Sequence, residues 1–147
     1  MKSIQNKQLI GIMCIFLFLL MGTIQIHGQS YNQSALMNKE WKYQTSGKSY
    51  YFIFLYTDKE EIAKLAVNNK KTGGEMKSSY YLSDVVVDKF QSELVGKNKS
   101  GKYIVTRRKG EALNGERLDV YEILELTDTT LKMKNLKYNN VSEFTAE

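Results

Sequence analysis

The run Arg117-Leu118-Asp119-Val120-Tyr121-Glu122-Ile123-Leu124-Glu125-Leu126, followed by Thr127-Asp128-Thr129-Thr130 and then Leu131-Lys132-Met133-Lys134-Asn135, decides the fold. The first run puts Leu118, Val120, Leu124 and Leu126 on one face and Asp119, Tyr121, Ile123 and Glu125 on the other. Glu122 interrupts the apolar face, the mark of a bulge or of a polar position in a lumen. The last run sets Leu131 and Met133 against Lys132 and Lys134, and the Thr-Asp-Thr-Thr between the two is a turn. A period of two with one buried face is what an antiparallel sheet requires.

The same period extends upstream. Lys102–Arg108 alternates Tyr103, Val105 and Arg107 with Ile104, Thr106 and Arg108. Glu40–Thr45 and the nearly continuous apolar run Ser49–Tyr56 flank the tight turn Ser46-Gly47-Lys48. Glu61–Val67, Met76–Leu82 and Asn139–Thr145 complete eight expected strands. Between them lie a turn-rich loop over Asn68–Gly74 and the hairpin dipeptide Asn114-Gly115. Ser83–Lys99 is the longest stretch without strand pattern, with a short helix expected near Lys89–Leu94, and Ser30–Lys39 is a polar lead-in with a short turn. One segment reads two ways. Thr57-Asp58-Lys59-Glu60 is also a capping box, and Ile62, Leu65 and Ala66 have helical spacing; the strand is preferred because Ser49–Tyr56 otherwise lacks a hairpin partner. Eight meandering strands with short turns close most simply as an up-and-down barrel, which leaves no open edge. At that size the interior is either filled by side chains or holds one small ligand.

The first 28 residues read as an address. Lys2 and Lys7 precede an almost wholly apolar run, Leu9–Ile24, with small residues after it, as in a cleaved secretory signal peptide. The rival reading, a membrane anchor, needs about 20 apolar residues to span a bilayer as a helix. The expected organisation is therefore a signal peptide at 1–28 and one domain at 29–147, exported to the periplasm or beyond.

Cleavage would remove Cys14 and His27, the chain's single Cys and single His. The remaining domain then has no disulfide, no thiolate nucleophile, no Ser-His-Asp triad and no imidazole or thiolate metal site. No EF-hand loop or phosphate-binding glycine loop is present in the sequence. Removing Lys2 and Lys7 from the 21 basic residues leaves 19 against 16 acidic ones, a net charge of +3. That charge is mild and unclustered, unlike a nucleic-acid-binding protein. Asp119, Glu122 and Glu125 could supply a carboxylate pair, but 119 and 122 fall on opposite faces of one strand. No enzyme activity, cofactor or metal is expected.

Several stretches resemble small secreted lipocalin-like (calycin-type) proteins of Bacteroidetes: Leu36…Trp41, Tyr80-Tyr81-Leu82-Ser83-Asp84, Ser100-Gly101-Lys102-Tyr103-Ile104-Val105, and Tyr121 to Leu131. The resemblance implies a barrel with an open mouth and a floor closed by Trp41, with Arg117 as the candidate for the late-strand Arg that packs on that Trp. Lys39 stands where the family favours glycine.

Phe52, Phe54, Tyr81, Tyr103 and Tyr121 are the candidate ligand-binding residues, as aromatic walls with hydroxyls to orient a ligand; the competing reading is a filled core. Arg107-Arg108-Lys109 with Lys70-Lys71 could form a basic lip or be solvated strand ends. The expected function is a non-catalytic module holding a small apolar or amphipathic molecule. The alternative is a protein-binding, inhibitor- or immunity-type role with a filled barrel and the 83–99 segment exposed.

Overall fold

The computed structural model describes residues 29–68, 70–110 and 115–147. The expected signal peptide, and Asn114 of the expected turn dipeptide, lie outside the described residues. The elements in chain order are β1 (Tyr31–Asn32), a 3-10 turn (Gln33–Ala35), β2 (Glu40–Gln44), β3 (Tyr50–Tyr56), β4 (Glu60–Val67) and β5 (Lys70–Ser83). A second 3-10 turn (Ser92–Leu94), β6 (Ser100–Gly101), β7 (Tyr103–Gly110), β8 (Gly115–Leu126), β9 (Thr130–Asn135) and β10 (Asn140–Ala146) follow.

The fold is all-β. Strands β2–β5 and β7–β10 form one antiparallel sheet in which each pairs with its neighbour in that series, and β10 returns to pair with β2, so the sheet closes in a ring. The closing ladder is short, with Trp41 opposite Ala146 and Lys42 opposite Thr145, whereas β9 and β10 share six paired positions. Strands β1 and β6 form a separate two-stranded clasp.

Residues 60–67 are a strand, not a helix. Tyr50 to Tyr56 pair residue by residue with Val67 to Glu61, so β4 satisfies the backbone of β3. The expected loop over Asn68–Gly74 is much shorter than its composition suggests. Val67 already faces Lys70, and Asn68 has a φ of +50°. Lys70–Gly74 belong to β5, and the Gly-Gly pair marks an irregular register instead of a loop, with Gly73 at a φ of +72°. The expected helix near 89–94 is the single 3-10 turn at Ser92–Leu94.

Pairing fixes which side chains face into the ring. Trp41, Tyr56, Tyr80, Leu82, Ile104, Ile123, Leu131, Met133 and Phe144 form the interior core, joined by Leu36 from the lead-in. A second cluster lies outside the wall, where Tyr81, Val105 and Val120 are covered by Val87, Phe90, Leu94 and Val95 of the 84–99 segment. That outer cover corrects the face expected for β8. Leu118 and Val120 point outward beneath it, while Tyr121 and Ile123 point into the ring. The bulge falls at Leu124, not Glu122. Ile123 faces Met133 and Glu125 faces Lys132, leaving Leu124 unmatched and exposed and returning Leu126 to the interior. Glu122 is on the outside, where it pairs with Lys102 at 2.8 Å.

One end of the ring is sealed. Trp41 is completely buried, and its indole N–H donates to the Leu36 carbonyl at 2.8 Å. Full burial of a side chain of this kind contributes about 3 kcal/mol. Gln33, also buried, donates through Nε2 to the Asp58 carbonyl at 3.0 Å and the Tyr80 hydroxyl at 2.8 Å, and the Tyr80 hydroxyl donates to the Thr57 carbonyl at 2.5 Å. The lead-in is thereby tied to the β3–β4 turn. Lys39, 5.5 Å from the ring centroid, is the cation beside Trp41; Arg117 is engaged elsewhere.

Candidate ligand cavity in the ring interior

Interior positions on the remaining part of the ring change in character. Cross-strand pairing carries one inward row through Tyr56, Glu61 and Ser78, continued by the Arg108 side chain bonded to Ser78 and by Arg117 opposite Arg108, and a neighbouring row through Tyr80, Thr106 and Asp119. Four ionisable groups, Glu61, Arg108, Arg117 and Asp119, therefore point to the inner side of a closed sheet. A cavity of about 230 Å³ lies here. Tyr43, Phe54, Tyr121, Met133 and Phe144 form its apolar walls; Glu61, Arg117, Asn135, Asn140 and Ser142 bring polar groups to it, and Tyr138 stands at its rim, more than half exposed.

The aromatic wall is a packed set. The Phe144 ring lies 5.3 Å from Tyr43 and 5.4 Å from Phe54, the latter edge-on, within the range of favourable aromatic pairs. Tyr43 is on β2 and Phe144 on β10, so this contact bridges the two strands beyond their short ladder.

The ionic groups divide unequally. Asp119, 6% exposed, accepts from Arg117 through both oxygens, Oδ2 from Nε at 2.6 Å and Oδ1 from Nη2 at 3.2 Å. This two-point pairing holds the guanidinium pKa above its ordinary value. The Arg117 guanidinium also stands 5.6 Å from the Tyr138 ring centroid. Glu61, 5% exposed, accepts the Tyr56 hydroxyl on Oε2 at 3.0 Å. Among the described residues no cation lies within 4.0 Å of its carboxylate. Burial lifts the Glu61 pKa above the usual carboxylate value; the Tyr56 hydrogen bond and the charge of Arg108 pull it back, and the charge of Asp119 adds to the rise. Arg108 donates through Nε to Ser78 Oγ at 3.3 Å. Burial and the nearby Asp119 push the Tyr121 pKa up to about 12.

Asn135 orders the rim. Its Oδ1 accepts the backbone N–H groups of Lys137 and Tyr138, at 2.9 and 3.1 Å, which fixes the β9–β10 turn and with it Tyr138.

Of the five aromatic residues singled out from sequence, Phe54 and Tyr121 line the cavity. Phe52 is on the same inner face, 6.5 Å from Phe54 between centroids. Tyr81 and Tyr103 are on the outer face, with Tyr81 packed 5.1 Å from Phe90. Alternation explains the split, since Tyr80 and Tyr81 cannot both point inward. The basic lip does not assemble either. Arg107 points outward, stacked 4.3 Å over Phe90, Arg108 points inward, and Lys109 and Lys71 pair with Glu116 and Glu40 at 2.8 and 2.6 Å. Sequence reasoning missed Glu61: Ile62, Leu65 and Ala66 have helical spacing, whereas in the strand Leu65 shares the face of Glu61 and Ile62 and Ala66 do not. It also missed Tyr43, Asn135 and Phe144, whose shared location follows only from ring closure.

In comparison with known proteins, the chain matches no family model, no curated protein and no solved structure. Among the described residues there is no group of three or more potential metal ligands and no helix long and apolar enough to cross a membrane.

Proposed function

We propose that the chain is an exported, non-catalytic binding module, a lipocalin-like barrel that follows a cleaved signal peptide and holds one small amphipathic molecule. The observation that carries this reading is the interior cavity, with aromatic walls on one side and a few converging polar groups on the other. That combination is typical of small-molecule sites. Drug-sized ligands occupy about 300 Å³ or more, so a 230 Å³ cavity suits a smaller molecule, of one ring or a short chain. Apolar burial supplies most of the affinity at about 25 cal/mol per Å², and the polar groups orient the ligand.

A second reading has its own support. Val85 and Val86 in the 84–99 segment are 65% and 57% exposed, a small apolar surface suited to a protein partner in an inhibitor or immunity role.

Native mass spectrometry of the protein purified gently from its own host separates the two. A retained adduct of roughly one to two hundred daltons, as a cavity below the usual ligand range requires, is the expected result. A bare protein, or one carrying a second polypeptide, overturns the small-molecule reading in favour of the other.

A further inference from the structure

The polar groups at the cavity are not equivalent, and the difference bears on which ligand it takes. Arg117 is matched by Asp119 through two hydrogen bonds, so this pair presents little net charge. Glu61 lines the same cavity, is buried, and has a neutral hydroxyl as its hydrogen-bond partner. A buried carboxylate without a close counter-ion is costly, and a ligand that brings a cation to it gains more than it would in water. Arg108, the other inward cation, bonds Ser78 instead of Glu61 and is not part of the cavity lining. The rings of Tyr43, Phe54 and Phe144 add negative π-faces to the same space.

We propose that the cavity selects a small organic cation, an ammonium group on an apolar body, with the Glu61 carboxylate as its counter-ion and the Tyr43–Phe54–Phe144 wall packed on the body. This rests on the binding-module reading above and narrows its ligand to one chemical class. The ammonium donates to Glu61, the apolar part displaces water from the aromatic wall, and Arg117 stays on Asp119. An anionic ligand would need Arg117 to leave a buried partner, which strands the Asp119 charge.

The test is a set of titrations of the full chain with three probes of similar body and different head: phenethylammonium, 2-phenylethanol and 3-phenylpropionate. Binding is followed by the NMR signals of the Phe54 and Phe144 rings. The expected result is ammonium binding at least about tenfold tighter than the alcohol, as a charge-assisted hydrogen bond allows. That preference falls to near unity in Glu61→Gln, which keeps an acceptor for the Tyr56 hydroxyl and therefore the fold, as checked by its thermal transition. Equal binding of alcohol and ammonium, tighter binding of the carboxylate, or an undiminished preference in Glu61→Gln overturns the assignment while leaving a ligand-binding cavity. If none of the three moves the ring signals, the assignment and the binding-module reading fall together.

Discussion

The two ends of the ring are made by the same eight strands and are built on opposite principles. At one end Trp41, Leu82 and Leu131 are wholly buried beneath a segment from outside the ring, which contributes the equally buried Leu36. Towards the other, Glu61 is almost as buried, yet it borders a cavity. Burial alone therefore does not distinguish core from site. What distinguishes them is the charge of the group left short of a partner, the neutral Gln33 Oε1 at the sealed end and the Glu61 carboxylate at the cavity. The Trp41 N–H is satisfied by Leu36 and the Tyr80 hydroxyl by Thr57. Glu61 is satisfied only by a neutral donor, and space is left beside it.

Breaking the sealed end has the largest expected effect. Trp41→Ala removes the biggest wholly buried side chain and should cost about 3–5 kcal/mol in urea unfolding. Gly101→Ala tests the clasp that holds the lead-in. A Cβ at Gly101 would stand 2.4 Å from the Ser83 backbone nitrogen, an approach only backbone movement can relieve, and about 2–3 kcal/mol of destabilisation is expected in the same measurement.

Changes at the cavity end are smaller. Arg117→Ala leaves Asp119 buried without its cation, but the arginine side chain is 37% exposed and water reaches the gap. A loss of about 2 kcal/mol, below the range for a fully buried pair, is expected.

Glu61→Gln has the smallest effect and the opposite sign. The folded-state pKa of Glu61 is raised, so the folded protein binds that proton more firmly than the unfolded chain. Its contribution to stability is fully present below the unfolded carboxylate pKa and is lost as pH rises through the folded one. The variant should therefore be at least as stable as the wild type at pH 7 and show a flatter stability curve as pH rises above the ordinary carboxylate pKa of about 4, with about 1.4 kcal/mol for each unit the folded pKa is raised. Urea titrations across that interval check it; a variant less stable than wild type at pH 7 would contradict it.

The strands were legible in the sequence because their period of two survives any tertiary arrangement. Lys102–Arg108 and Leu131–Asn135 needed no correction to their alternation. The facing of β8 was harder to read. A surface segment 30 residues upstream covers Leu118 and Val120, and the bulge at Leu124 reverses the alternation beyond it. The cavity was legible only in part, through Phe54 and Tyr121. Glu61 shares its face of β4 with Ala63, Leu65 and Val67, so hydrophobic patterning marked that face as core and gave no sign of a buried acid in it. Tyr43 and Phe144 are about 100 residues apart, and only the closing of β10 onto β2 brings them together.

The most direct test of the contrast between the ends is a water-selective NOE measurement on aromatic-labelled protein. Cross-relaxation from long-lived water to the Phe54, Tyr121 and Phe144 rings, with none to the Trp41 indole ring, is the predicted outcome. Water at Trp41, or dry rings around Glu61, would contradict the division of the ring into a sealed end and a hydrated cavity.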